Sequence, residues 1–267
     1  MTGSPSDRAA VERAVRGDGL RTAFQPIVDL HRLVVTGYEA LARFDVPGVA
    51  GPEEVIVAAG ERGVLAELEA QCLRSALQAR PHLPPNCFLT LNVEPDSVGA
   101  PAVADVLGAE PHLRGVVIEV TERRGGDDPA AFVAALDRWR EAGARVAVDD
   151  AGAGHSGLQK ILAIRPDILK LDASLVRGID ADEAKAALVE MFGTFAGRID
   201  AWLLAEGVET EAEARRLAAL GVPLAQGRFF GGAADRWAEL DDHVRSLRPA
   251  ARASATPLLP LIEDAPC

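Results

Sequence analysis

Apolar and polar positions along this chain follow two alternating rhythms. Short apolar or β-branched runs fall at residues 24–28, 34–43, 87–93, 116–120, 145–150, 168–172, 202–206 and 224–226. These read as strands. Between them, apolar residues recur every three or four positions over 52–62, 65–80, 103–107, 129–142, 157–164, 181–198 and 211–220, which predicts helices. Pro129 at the start and Gly143 at the end of one stretch, and Gly221 after another, are the expected punctuation. Residues 4–19 predict an N-terminal helix, and a last helix is expected over 237–247. The segment 248–267, rich in Ala and Pro without a period, reads as a flexible C-terminal tail.

Strands alternating with helices imply parallel β-α units, and this many in succession favour a closed barrel. The expected class is α/β, a modified (β/α)8 TIM-type barrel over residues 20–247 with an irregular first strand pair. Pro26 cannot take a regular place in a central ladder, and a turn at His31-Arg32 makes the first two strands a hairpin. In such barrels chemistry gathers at the C-terminal strand ends. Those ends carry Glu39, Asn92, Glu119, Asp149 with Asp150, Lys170, Glu206 and Gln226. One or two polar strand ends would merely cap the next helix. A whole ring of them indicates a site.

Composition narrows the partners. The chain has 267 residues, 48% hydrophobic and 25% charged, enough to bury a sizeable core. A net charge of −12 and a pI near 4.9 argue against a nucleic-acid polymer or an anionic membrane as partner. Cys72, Cys87 and Cys267 form no C-x-x-C pair, and their odd number suits a reducing cytoplasm. No apolar run approaches the ~18 residues of a membrane span, so no anchor is expected.

Within the ring, Asp149-Asp150 stands out. A strand delivers two adjacent carboxylates into a glycine-rich loop, and two like charges side by side repel. Turning one of them to solvent would relieve that. The alternative is a cation between them. Carboxylates with one Asn and no His or Cys cluster form a hard oxygen site that suits Mg²⁺ or Mn²⁺. Two ions would activate a water and clamp a phosphoryl group. Lys170 is then suited to hold that water or to balance charge on phosphate oxygens, unless it simply pairs with Asp172.

The motifs Tyr38-Glu39-Ala40-Leu41-Ala42-Arg43, Leu91-Asn92, Glu119-Val-Thr-Glu122, Asp149-Asp150-x-Gly152-x-Gly154-x-Ser156, Lys170-Leu-Asp172, Glu206-Gly-Val-Glu209 and Gln226-Gly227 occur in the order and spacing of the EAL-domain family, which the chain resembles over about 20–232. The resemblance implies a phosphodiesterase that opens cyclic di-GMP to linear 5′-pGpG with two Mg²⁺ or Mn²⁺ ions, acting as a homodimer. It implies Glu39, Asn92, Glu119 and Asp149 as ligands of one metal, and Asp149, Asp150 and Glu206 as ligands of the other. Lys170 matches the lysine that orients the attacking water. Glu122 matches the glutamate that holds the loop after the aspartates. Gln25 and Arg43 match substrate contacts, while Glu209 and Gln226 match residues near the second metal and the substrate.

The loop Ala151-Gly-Ala-Gly-His-Ser-Gly157 departs from the family's Asp-Asp-Phe-Gly-Thr-Gly, losing an aromatic and a hydroxyl. Arg228-Phe-Phe-Gly-Gly is also unusual. The altered loop motivates a second reading, a receptor that holds cyclic di-GMP without cutting it. A third, an enolase-like barrel with Lys170 as base, requires a metal triad on three successive strands. His155 reads as a solvent-facing loop residue rather than a ligand.

Overall fold

Eight strands close into a barrel in sequence order: β1 (Leu20–Asp29), β2 (Val34–Phe44), β3 (Phe88–Asn92), β4 (Val116–Val120), β5 (Arg145–Ala151), β6 (Ile168–Leu171), β7 (Trp202–Ala205) and β8 (Leu224–Gln226). This computed structural model describes residues 11–45, 51–121, 128–151 and 157–247, without the side chains of 150, 151 and 157–160. The start of the N-terminal helix, the loop with His155 and the C-terminal tail lie outside the described residues.

The first strand pair is irregular, as expected. β1 runs antiparallel to both β2 and β8, while every other neighbouring pair is parallel. Its hairpin is fixed by buried Asp29, whose carboxylate accepts the backbone N–H groups of His31 at 2.8 Å and Arg32 at 3.0 Å. Pro26 falls between a bridge that joins Phe24 to Ala234 and the β8 ladder that begins at Ile27. Pro26 does pair with Tyr38 in the β1–β2 ladder, and its missing N–H is tolerated because the opposite edge carries no ladder pair at that residue.

Side chains alternate in and out along each strand, and the barrel interior is built in layers. Ile27, Phe88, Val117, Ala147, Ile168, Leu204 and Leu224 form an apolar cluster inside the barrel. Phe88 needs space that only glycine at position 37 leaves, since a Cβ there would lie 2.6 Å from its ring. Two residues further along the parallel strands come Thr90, Glu119, Asp149, Lys170, Glu206 and Gln226. Glu39 stands in the same relation to Gly37, and Gln25, on the reversed strand, precedes Ile27 by two.

Outside the barrel, helices cover the apolar faces of the strands. Their starts are capped as their sequences suggest. Asp128 accepts from the amides of Ala130 and Ala131, Asp182 from Ala184 and Lys185, and Thr210 forms a capping box with Glu213. One expectation fails. The last helix spans Asp242–Ser246 only, and 237–240 pack against the barrel without helical structure. Trp237 packs on Phe24 and Tyr38 with ring centroids at 4.0 Å and 5.0 Å, and the Tyr38 hydroxyl donates to the carbonyl of Ala238 at 2.9 Å. Burial of that indole outweighs the local helical period. A short helix that the pattern did not predict, Ala173–Val176, is capped by Asp172.

Candidate active site

The polar layer closes around Lys170. Its ammonium is almost fully buried and contacts Glu119 and, at 2.5 Å, Glu206, with Asp149 at 3.6 Å and Glu39 at 3.8 Å. Lys170 therefore turns inward to four carboxylates, and Asp172 serves as the helix cap instead. The four acids come from β2, β4 and β5 and from the residue that follows β7, so residues far apart in sequence share one space.

Each is aimed by its strand. Glu39 is buried at 7% exposure and receives two amide donors, Asn92 Nδ2 to Oε1 at 3.0 Å and Gln226 Nε2 to Oε2 at 2.5 Å. Gln226 also donates to Gln25 Oε1 at 3.1 Å, and Gln25 donates to the carbonyl of Gly231 at 3.2 Å. Gln226 is followed by a glycine for steric reasons: a Cβ at Gly227 would lie 2.1 Å from the carbonyl oxygen of Val208. At the end of β5 the pairing with β6 shifts register between Val148 and Ala151, the segment that holds both aspartates. Such an irregularity re-aims side chains. Asp149 turns into the layer; the side chain of Asp150 is outside the described residues, as is Glu122.

Charge is the dominant physical problem of this layer, with one ammonium facing four carboxylates. Burial pushes Glu119 well above the usual carboxylate range; Lys170 opposes this, and the charges of Glu39, Asp149 and Glu206 add to it. Burial likewise pushes Glu206 up to about 7 against the pull of Lys170, with Asp149 and Glu39 adding to the rise. Glu39 ends below its ordinary value. Burial raises it, but Lys170 and the hydrogen bonds from Asn92 and Gln226 outweigh that. Burial works against the charge on Lys170 too, yet the surrounding carboxylates hold its pKa well above the ordinary value. The arrangement thus retains protons or takes up cations.

Two observations favour cations. Ligand oxygens of Glu119, Asp149 and Glu206 lie within 4.8 Å of one another, a spacing that could hold a metal ion. Glu119 Oε2 is buried without a hydrogen-bond partner among the described residues, an orphan that such an ion would satisfy. Hard oxygen donors suit a hard divalent cation. The three carboxylates belong to the ends of β4, β5 and β7, not to three successive strands.

Other expected residues stand further out. Arg43 is half-buried, donates to the carbonyl of Ala42 at 2.9 Å and helps hold Glu39 ionised. Asn92 is exposed at the rim. Glu209 does not reach the Lys170 cluster: its carboxylate pairs with Arg228 at 2.9 Å and Arg177 at 3.9 Å. A cleft of about 420 Å³ leads from Glu39, Asn92 and Glu119 to Arg43, Leu41, Ile56 and Glu69. Glu69 went unremarked in the sequence. Its signal was there, an acid on the apolar face of a helix, one position after Leu68 and four before Leu73.

The profile of the EAL domain family matches residues 8–233. The chain is 31% identical to a probable cyclic di-GMP phosphodiesterase of Escherichia coli, PdeN, over 88% of this chain and 46% of that protein. It is 30% identical to the cyclic di-GMP phosphodiesterase RocR of Pseudomonas aeruginosa, over 83% of this chain and 59% of that one. Among solved structures, Klebsiella pneumoniae BlrP1 in a calcium and cyclic di-GMP complex superimposes with a TM-score of 0.72 at 30% identity, covering 84% of this chain and 58% of the other. The chain spans about half the length of these curated relatives. No helix among the described residues is long and apolar enough to cross a membrane.

Proposed function

The chain belongs to the EAL domain family, and we propose that it is a metal-dependent phosphodiesterase that opens cyclic di-GMP to linear 5′-pGpG. The observation that carries this reading is the convergence of four carboxylates on one buried lysine, with an unpartnered Glu119 oxygen among them. Glu39, Asn92, Glu119 and Asp149 would hold one divalent ion, and Asp149, Asp150 and Glu206 the other, with Mg²⁺ or Mn²⁺ suited to these donors. Two such ions, when bound, supply Lewis-acid activation of water and of the phosphoryl oxygens.

The chain's own side chains do the rest. Lys170 orients the attacking water and offsets negative charge as it develops on the phosphate. Water adds to phosphorus, the bond to one ribose 3′ oxygen breaks, and that oxygen leaves with a proton, giving a linear dinucleotide with a 5′ phosphate. Gln226 holds Glu39 in place and, with Gln25 and Arg43, faces the nucleotide. Glu209 contributes from the rim, where its ion pairs tie the loop after β7 to the segment after β8. Glu122 would hold the loop after the aspartates. A homodimer is part of the same proposal.

The test is incubation with cyclic di-GMP and Mn²⁺ or Mg²⁺, followed by chromatography for pGpG. Turnover is expected, and Glu39→Ala or Asp149→Asn should abolish it. Near-normal activity in either variant would overturn the site. Binding without turnover would make the protein a receptor, and neither binding nor turnover would sink both nucleotide readings.

A further inference from the structure

Glu69 has no part in the chemistry above, yet it is buried at 8% exposure on the helix Leu65–Ala79, between Leu68 and Leu73. Its Oε1 accepts the backbone N–H of Glu94 at 2.7 Å, and Ser97, also buried, bonds the same carboxyl through its side chain. Its Oε2 is buried without a partner among the described residues. Burial pushes this carboxyl up to about 7 against the pull of those hydrogen bonds, with Glu94 and Asp96 adding to the rise. A half-paired carboxyl in a core is costly. A helix that needed only packing would be better served there by leucine.

The carboxyl holds the loop that leaves β3. The N–H of Val93 bonds to the carbonyl of Glu119 at 2.9 Å, that of Glu94 to Glu69, and that of Ser97 to the carbonyl of Glu94 at 2.8 Å. The two amides that follow Asn92 are therefore pinned, one by the neighbouring strand and one by Glu69. Asn92 is the last residue of β3 and is exposed, so packing does little to fix it. Its amide nevertheless meets Glu39 at 3.0 Å, and Glu69, Asn92, Glu39 and Glu119 line the same cleft.

We propose that Glu69 is a positioning residue: by clamping the loop after β3 it holds Asn92 against Glu39 and Glu119 in the geometry that receives a divalent ion. The inference rests on the metal-dependent reading above. Groups that orient metal ligands from behind change affinity by about 10–100-fold when removed.

The experiment titrates Mn²⁺ into nucleotide-free protein by calorimetry, with thermal melting as the check on folding and kcat and KM measured across Mn²⁺ concentrations. Glu69→Ala is expected to weaken Mn²⁺ binding by about tenfold, and raised Mn²⁺ should recover much of its turnover. Glu69→Gln keeps an oxygen for the Glu94 amide and should stay within about twofold of the parent. A folded Glu69→Ala with unchanged Mn²⁺ affinity would overturn the proposal, even with a lowered melting temperature. So would Glu69→Gln losing as much as Glu69→Ala. If Glu69→Ala does not fold, Glu69→Asp, with its carboxylate drawn back by one methylene, should show a several-fold weakening, and parental affinity would overturn the proposal. A parent protein that binds no Mn²⁺ would sink the metal reading and this inference together. Binding with unaltered variants would sink this inference alone.

Discussion

Two adjacent layers inside one barrel, built from the same strands, obey opposite rules. The lower layer of Ile27, Phe88, Val117, Ala147, Ile168, Leu204 and Leu224 is apolar and fully buried. The layer two residues further along most of the strands, about 6–7 Å away, buries Glu39, Glu119 and Lys170 together. The first stabilises the fold through apolar burial and contact, worth ~25 cal/mol per Å² removed from water. The second opposes burial, since charges taken from water repay their desolvation only when paired. The barrel thus rests a costly charged layer on a buried apolar floor.

The strongest way to break that contrast is Lys170→Met. Turnover of cyclic di-GMP should fall by about 10²–10³-fold or more, because a group placed to stabilise developing charge is gone. The carboxylates would lose the Lys170 ammonium they share, at a cost of up to ~3–5 kcal/mol in metal-free protein. Melting in EDTA and then in Mn²⁺ checks this: the ion should restore stability without restoring turnover. A normal melting temperature in EDTA would show that the layer does not depend on Lys170 for charge balance.

Phe88→Ala probes the floor. It should lower stability by ~3–5 kcal/mol through transfer and cavity effects, read as a shifted denaturant midpoint. Well below its melting temperature, turnover should stay close to that of the parent. A collapse of activity in the folded variant would mean that the two layers are mechanically coupled. Gly37→Ala is the finest cut. Its Cβ would meet the Phe88 ring at 2.6 Å, for an expected loss of ~1–3 kcal/mol. Adding Phe88→Leu should recover part of that loss, and no recovery would place the strain in the backbone instead.

Much of this contrast was legible beforehand because strands have a period of two. Once the runs ending at Glu39, Glu119, Asp149, Lys170, Glu206 and Gln226 are read as parallel strands of one barrel, their ends must share a face. The hairpin at His31-Arg32 was equally readable from local signals. The last helix was not. Its pattern extended back to Trp237, but that indole packs on Phe24 and Tyr38, residues some two hundred positions away. Glu209 illustrates the same limit: its motif puts it after β7, while its pairing with Arg228 depends on how the segment after β8 returns.

The sequence by itself determined the order of the strands, the barrel class and the polar residue types at the strand ends, because these follow from periodicity and composition. Tertiary structure alone decided who meets whom. It turned Lys170 toward four acids rather than toward Asp172, set Gln226 between Glu39 and Gln25, and buried Glu69 behind Asn92. The physical reason is that local propensity acts over a few residues, whereas burial and charge pairing act across the closed barrel and select among side-chain directions that the chain's local pattern leaves equal.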